Sequence, residues 1–219
     1  MDSRQAVALQ KSLAAKVRLV KKISGRMKLV AGVDVSYEKH GDLFYGGVVV
    51  LSFPELETVE EVGAVDRVDF PYVPGLLSFR ELPVLLKAFS SLQSVPDAVL
   101  VDGQGIAHPR RFGLASHLGL WLNIPAIGCA KTRLCGEYEP PGEIRGEAAD
   151  LYDGGELIGQ VVRTRDRVRP LFVSPGHLVD VQGATSLVLS CGGGYRLPEP
   201  TRRAHLFTNR LRLAAKGQG

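Results

Sequence analysis

The sequence AVLVDGQGIAHPRRFGLASHLGLWLNIPAIGC spans residues 98–129 and predicts the order of secondary structure that decides the fold. It begins with a short apolar strand, residues 98–102, which ends in an acid and is followed by a glycine-rich turn. A helix from about residue 111 to residue 122 comes next, and a second strand covers residues 124–129. A strand, a helix and a strand in this order predict two parallel strands joined by a crossover helix.

Three valine-rich segments precede this unit, at residues 28–36 (KLVAGVDVS), 43–52 and 58–65. Glycine, proline and aspartate separate them, so they predict three successive strands of an antiparallel meander. Apolar residues at three- and four-residue spacings predict an amphipathic helix at residues 4–22. A second helix is predicted at residues 78–91, where Ser78 and Glu81 have the spacing of a capping box.

The C-terminal part continues the same alternation of strands and helices. Strands are predicted at residues 156–164 and 169–174, and helices at residues 179–190 and 200–216. The chain therefore predicts one domain, residues 1–219, with a mixed α/β sheet flanked by helices on both faces. This is the order of elements expected of a ribonuclease H-like fold.

Composition narrows the function classes. The chain has 219 residues, of which 45% are hydrophobic, and its longest apolar stretches are far shorter than the roughly 20 residues of a membrane-spanning helix. We therefore expect a cytoplasmic protein with no membrane contact. Three cysteines without a CxxC pair predict neither a disulfide framework nor a zinc knuckle. The net charge of +4, with basic residues concentrated between Lys11 and Lys28 and between Arg196 and Arg212, favours a polyanionic partner, although solvated helix faces are the alternative.

Two acids interrupt or end apolar strands that are predicted to be neighbours. Asp34 lies within VAGVDVSY and Asp102 ends AVLVD. Carboxylates so placed repel each other unless a hard divalent cation such as Mg²⁺ lies between them, and Glu81 is a candidate third oxygen ligand. The alternatives are a structural salt bridge for Asp34 and a helix cap for Glu81.

The loop after Asp102 has the character of a ligand-binding loop. Gly103, Gly105 and Gly113 remove side chains where the backbone turns tightly or where a ligand approaches closely. Arg110 and Arg111 follow as a candidate phosphate-binding pair.

Three further side chains are candidates for chemistry or base contact. His108 is interpreted as a general acid or base, with a residue that supports a site side chain or a capping residue as the alternatives. Lys131 is interpreted as a cation that offsets charge on a cleaved phosphate, with a plain surface lysine as the alternative. Tyr72 stands between two prolines that stiffen the backbone, which suits a wedge between bases; packing under a loop is the alternative. His117 is interpreted as a core histidine, and His177 as a structural residue near the rim of the site.

Six motifs in order resemble the endonuclease V family: VAGVDVSY, PYVPGLLSFRE, VDGQGIAHPRRFGLASHLGL, GCAKTRL, SPGHLVD and YRLPEPTRRAHLFTNRLR. The resemblance runs from about Val30 to Arg212. It implies a ribonuclease H-like fold and a Mg²⁺-dependent endonuclease, with Mn²⁺ as a substitute, that acts on DNA containing deoxyinosine or other deaminated bases. The bond cut would be the second phosphodiester on the 3′ side of the lesion, leaving 3′-hydroxyl and 5′-phosphate ends.

The resemblance also implies roles for individual residues. Asp34 and Asp102 match the metal-binding aspartates, Glu81 the third catalytic carboxylate, and Tyr72 the wedge that separates the strands. The residues that match motif positions near the scissile phosphate or around the pocket for the extruded base are His108, Lys131, Gly75, Leu77, Gly103, Gly105 and Gly113. His205 stands where some members have aspartate, which leaves a second metal open.

Two other functions remain as alternatives. One is an inosine-specific endoribonuclease, because some members of the family prefer RNA. The other is a non-catalytic binder of damaged nucleic acid, in which the acidic side chains serve only to cap helices and to form ion pairs. A monomer is expected in each case.

Overall fold

Eight strands and five helices make up the part of the chain that the computed structural model describes, residues 1–21, 26–38 and 41–216. The strands are β1 Leu29–Tyr37, β2 Leu43–Ser52, β3 Thr58–Arg67, β4 Ala98–Val101, β5 Ala126–Ala130, β6 Ala148–Asp153, β7 Glu156–Val162 and β8 Leu171–His177. The helices are α1 Ser3–Ala14, α2 Ser78–Phe89, α3 Leu114–Leu122, α4 Val181–Ser190 and α5 Glu199–Lys216. Lys22, one of the N-terminal basic residues, lies outside the described residues.

The strands form one mixed sheet in the order β3-β2-β1-β4-β5-β8-β7-β6. β1, β2 and β3 form the predicted antiparallel meander. β4 lies parallel to both β1 and β5, which confirms the crossover predicted for residues 98–129. β8, β7 and β6 extend the sheet in antiparallel pairings. The predicted fold class, a ribonuclease H-like mixed sheet, is confirmed.

Helices cover both faces of this sheet. One apolar cluster joins α4 and α5 to one face through residues such as Leu187 and Ala204. A second cluster joins α2 and α3 to the other face through residues such as Leu85 and Leu118. Because side chains alternate along a strand, Val30, which belongs to the first cluster, and Asp34 point to the face of α5.

Gly32 allows α5 to approach β1 closely. A Cβ atom on Gly32 would lie 1.9 Å from the backbone oxygen of Pro200, at the start of α5. Any larger residue would therefore push the helix away from the strand. This contact brings the side chains of α5 next to Asp34, two residues further along β1.

The predicted N-terminal helix is too long. α1 ends at Ala14, and its buried residues are Ala6 and Gln10 rather than the valines and leucines of the predicted apolar face. Residues 15–21 are not helical, and the backbone N–H of Arg18 donates to Nδ1 of His177 at 3.3 Å. Apolar spacing alone does not distinguish a helix from an extended segment that packs on the surface.

Two other expectations from the sequence are wrong: the capping box of Ser78 and Glu81, and the position of His177 near the rim of the site. Leu77 is the N-cap of α2 and makes no side-chain cap, while Ser78 is hydrogen-bonded to Nδ1 of His117 at 3.1 Å, so no capping box forms. His177 pairs with Ala126 at the start of β5, whereas the acids lie near the other end of the neighbouring strands, so it is structural but not at the rim of the site.

β6 is absent from the sequence prediction. It is an edge strand in which only Leu151 is fully buried, so its sequence lacks the apolar alternation that marks the other strands. None of the described helices is long and apolar enough to cross a membrane.

Candidate active site

Asp34, Asp102 and His205 meet at the centre of the sheet. Asp34 lies on β1, Asp102 follows β4, and His205 lies on α5. Each offers one ligand atom, and these atoms all lie within 4.8 Å of one another. The parallel pairing of β1 with β4 brings the two acids together, and the close approach of α5 adds the imidazole.

Hydrogen bonds hold Asp34 and His205 in place. Nδ1 of His205 donates to Oδ2 of Asp34 at 3.0 Å, and the hydroxyl of Thr208 donates to the same oxygen at 2.8 Å. Nδ2 of Asn209 donates to Nε2 of His205 at 3.2 Å. Sequence reasoning missed Thr208 and Asn209, although their positions three and four residues after His205 put them on the same face of a helix.

Glu81 adds a third carboxyl beside this cluster. It lies on α2, is 7% exposed and lines the same cavity as Asp102. Burial and the nearby charges of Asp34 and Asp102 raise the pKa of Glu81 to about 8. Burial also raises the pKa of Asp34, even though the hydrogen bonds from Thr208 and His205 oppose the change.

The arrangement of charges fits a hard divalent cation. Nζ of Lys131 forms an ion pair with Oδ2 of Asp102 and supplies one positive charge against the three carboxyls. Carboxylate oxygens and an imidazole nitrogen are donors that Mg²⁺ or Mn²⁺ accepts. Burial is the main cause of the raised pKa of Asp34 and Glu81, and repulsion between the carboxyls adds to it. A bound cation would offset that repulsion.

A cavity of about 520 Å³ opens beside the acids. Three segments line it: residues 72–81, which run into the first turn of α2, residues 102–114 from the end of β4 to the start of α3, and residues 130–134 from the end of β5. Tyr72 lies at this cavity and is 65% exposed, and Leu77 is 37% exposed there. Gly75 has a φ of +78°, so the turn beneath Tyr72 requires a residue without a side chain.

His108 is a neutral structural ring in this arrangement. Its Nδ1 accepts the backbone N–H of Arg110 at 3.1 Å, and its Nε2 donates to the carbonyl of Gly75 at 3.1 Å. Burial and the adjacent charge of Arg110 lower the pKa of His108 to about 4. Because the charged form is disfavoured and both ring nitrogens contact backbone groups, the ring is suited to bracing the turn at Gly75. The acid–base role of His108 stays a prediction.

Arg110 and Arg111 also have protein partners. Nη2 of Arg110 donates to the carbonyl of Gly75 at 2.7 Å. Arg111 forms ion pairs with Asp153 at 2.7 Å and with Glu156 at 2.6 Å. The two guanidinium groups thus brace the turn at Gly75 and the hairpin of β6 and β7, and this engagement argues against the predicted phosphate-binding pair.

The glycines of the loop after β4 differ in role. A Cβ atom would lie 2.2 Å from the backbone oxygen of Pro175 at Gly105, and 2.2 Å from that of Gln104 at Gly113. These two positions need glycine for backbone packing. Gly103 lines the cavity, and a Cβ atom there would meet nothing closer than 3.5 Å.

Comparisons with known proteins identify the family of this chain. The family model described as Endonuclease V matches residues 11–206. An endonuclease V from Dehalococcoides mccartyi is 51% identical over 211 residues, which cover 96% of this chain and 94% of the relative.

Solved structures point to the same family. The structure of endonuclease V from Streptomyces avermitilis superposes with a TM-score of 0.93 at 43% identity, covering 98% of this chain and 95% of that one. Endonuclease V from Ciona intestinalis, solved in complex with a 24mer DNA containing an inosine followed by a ribo-adenosine, has a TM-score of 0.84 at 28% identity and covers 98% of this chain and all of that one (100%). The chain belongs to the endonuclease V family, whose members are named as endonucleases and so hydrolyse phosphodiester bonds of nucleic acids.

Proposed function

We propose that this protein is a Mg²⁺-dependent DNA repair endonuclease that cuts the second phosphodiester bond 3′ to a deoxyinosine, leaving 3′-hydroxyl and 5′-phosphate ends. The observation that carries the proposal is the cluster of Asp34, Asp102 and His205 beside a cavity large enough for a purine base. All eight described strands belong to one sheet, which supports a single catalytic domain. The proposed active form is a monomer.

Asp34, Asp102 and His205 would hold the cation, and Glu81 lies close enough for its charge to act on both aspartates. When bound, Mg²⁺ or its substitute Mn²⁺ polarises the phosphate and lowers the pKa of a water molecule. The hydroxyl of Thr208 fixes the orientation of Asp34. A ligand carboxylate that is held in this way loses less freedom when the cation and substrate arrive.

Lys131 supplies a positive charge at the site. Its ammonium group lies at the cavity and pairs with Asp102, and its side chain is 40% exposed. A cation in this position stabilises the negative charge that develops on a phosphate during cleavage.

Tyr72 and the cavity support recognition of an extruded base. The Watson–Crick edge of a deaminated base is hidden in a duplex, so the base must leave the stack before it can be read. Tyr72 is exposed on a turn that Gly75 and the ring of His108 brace, which suits a wedge inserted where the base leaves. The inosine-containing DNA bound by the relative from Ciona intestinalis supports the same substrate here.

Inosine-containing RNA is the second candidate substrate. The DNA bound to that relative carries a ribonucleotide directly after the inosine. A non-catalytic binder is disfavoured, because three clustered carboxyls without a cation would repel the phosphates that a binder must hold.

The test is cleavage of an end-labelled duplex containing one deoxyinosine, with Mg²⁺, beside a matched RNA containing inosine. Asp34→Ala and Asp102→Ala are expected to abolish a nick at the second bond 3′ to the lesion, while the exposed Asp166→Ala retains it. A nick that persists in both site variants would contradict the proposed centre. Cleavage of the RNA alone would replace the DNA substrate by RNA.

A further inference from the structure

Arg80 on α2 lies over two aromatic rings beside the catalytic cluster. Its guanidinium carbon is 5.0 Å from the ring centroid of Phe44 and 6.0 Å from that of Tyr72. Phe44 is fully buried, and its ring stacks on that of Tyr37 with 4.4 Å between the centroids and 12° between the ring planes. The four side chains therefore form a continuous series of contacts that begins on β1 and ends at the exposed ring of Tyr72.

The guanidinium of Arg80 makes no hydrogen bond and no ion pair with the described residues, and its Nε is buried without an acceptor. A buried N–H of a cation that lacks an acceptor is costly. The negatively polarised faces of aromatic rings attract a cation and offset that cost. The rings of Phe44 and Tyr72 are therefore the groups that hold this guanidinium in place.

The ring of Tyr72 in turn depends on Arg80 for its direction. Tyr72 is 65% exposed, and its side chain makes no hydrogen bond with the described residues. The turn beneath it is held through the carbonyl of Gly75, three residues further along the chain, and this bond does not reach the ring. Because Arg80 and Glu81 are consecutive on α2, the contact with Arg80 also fixes the ring relative to the acids.

We propose that Arg80 is a positioning residue that holds the ring of Tyr72 in the direction required for insertion between bases. Phe44 and Tyr37 support the guanidinium from the sheet. The inference rests on the proposed function, in which Tyr72 is the wedge. A wedge that is already oriented loses less conformational freedom when it enters the duplex, so its insertion is more favourable. The effect is confined to duplex substrate, since a single strand has no base pair to open.

The test is a double-mutant cycle between Arg80 and Tyr72. Arg80→Met removes the cation and keeps an unbranched side chain. It is made in wild type, in Tyr72→Phe, which keeps the ring, and in Tyr72→Ala, which removes it. Arg165→Met is the matched control, because Arg165 is exposed and its side chain makes no hydrogen bond or ion pair with the described residues. Single-turnover kcat/KM with Mg²⁺ is measured on a deoxyinosine duplex and on the same strand alone, and thermal unfolding checks that each variant is folded.

Arg80→Met is expected to lower kcat/KM on the duplex about fivefold, with a change of less than about twofold on the single strand. This loss should persist in Tyr72→Phe and vanish in Tyr72→Ala, while Arg165→Met matches wild type. Equal losses on duplex and single strand would overturn the inference, because they would show that Arg80 acts through the charge of Glu81 or on a phosphate. A loss on the duplex that persists in Tyr72→Ala would overturn it as well.

Base opening before cleavage gives a second measurement. A duplex carries 2-aminopurine, a fluorescent base, next to the deoxyinosine, and stopped-flow fluorescence is recorded on mixing with saturating protein and Mg²⁺. Wild type should raise the fluorescence, because 2-aminopurine loses a stacked neighbour when the wedge enters, and Arg80→Met should raise it less. No rise with wild type, or equal rises for both proteins, would refute the inference. A wild type that opens the duplex in this way but cuts no strand would refute the proposed function alone, so the two failures are distinct.

Discussion

Replacing Glu81 with glutamine tests whether the carboxyl cluster destabilises the metal-free protein. In the folded state the pKa of Glu81 is about 8, against an ordinary value of 4.5, because of its burial and the charges of Asp34 and Asp102. Between these two pH values the folded protein holds a proton that the unfolded chain releases. Stability from this group is therefore complete below about pH 4.5 and is lost as the pH rises to about 8.

The expected effect is large because Glu81 is almost fully buried. The difference between a pKa of about 8 and one of 4.5 corresponds to about 5 kcal/mol of unfolding free energy, as an order of magnitude. Glutamine has a similar shape and does not ionise. The stability of Glu81→Gln relative to wild type should therefore rise by about 1.4 kcal/mol per pH unit between about pH 5 and about pH 8.

Urea unfolding followed by circular dichroism, with a chelator and at intervals from about pH 5 to about pH 9, measures this difference. Glu139→Gln, at an exposed carboxyl, serves as the control. A difference between Glu81→Gln and wild type that stays constant with pH would refute the reasoning, because it would show that the Glu81 carboxyl is not strongly perturbed. Added Mg²⁺ at about pH 8 should stabilise wild type, since a cation offsets the same repulsion.

Three further predictions concern the loops around the cavity. Tyr72→Ala should reduce cleavage of duplex more than cleavage of single strands, and equal losses on both would contradict the wedge. Gly105→Ala should lower the unfolding free energy by about 3 kcal/mol or more, because its Cβ would lie 2.2 Å from the oxygen of Pro175, whereas Gly103→Ala should leave thermal stability nearly unchanged. Lys131→Ala should slow single-turnover cleavage by about 10²-fold, and an effect confined to DNA binding would show that the ammonium does not act on the reacting phosphate.

Much of the fold could be predicted from local sequence. Valine-rich segments between turn residues predict β1, β2 and β3 because strands select β-branched residues and turns select glycine, proline and aspartate. The order strand, helix, strand in residues 98–129 predicts that β4 lies parallel to its neighbours, because crossover connections have few geometries. The convergence of Asp34 and Asp102 follows from that pairing.

The partners of the loop residues could not be predicted in this way. His108, Arg110 and Arg111 look like catalytic or phosphate-binding residues in sequence, yet the folded chain gives them structural partners. The guanidinium of Arg110 reaches Gly75 and Gln10, which lies 100 residues away in the chain. Charge and residue type are local properties, whereas burial and hydrogen-bond partners depend on segments that meet only after folding.

The sequence by itself determined the meander, the crossover, the two central acids and the family. The family resemblance already pointed to His205 as a site residue, but only the tertiary structure decided that it meets both acids, that α1 ends at Ala14, and that β6 completes the sheet edge. The physical reason is the range of the interactions involved. Strand alternation and turn chemistry act between near neighbours in the chain, whereas the site depends on α5 reaching Gly32, and no periodicity near His205 encodes that contact.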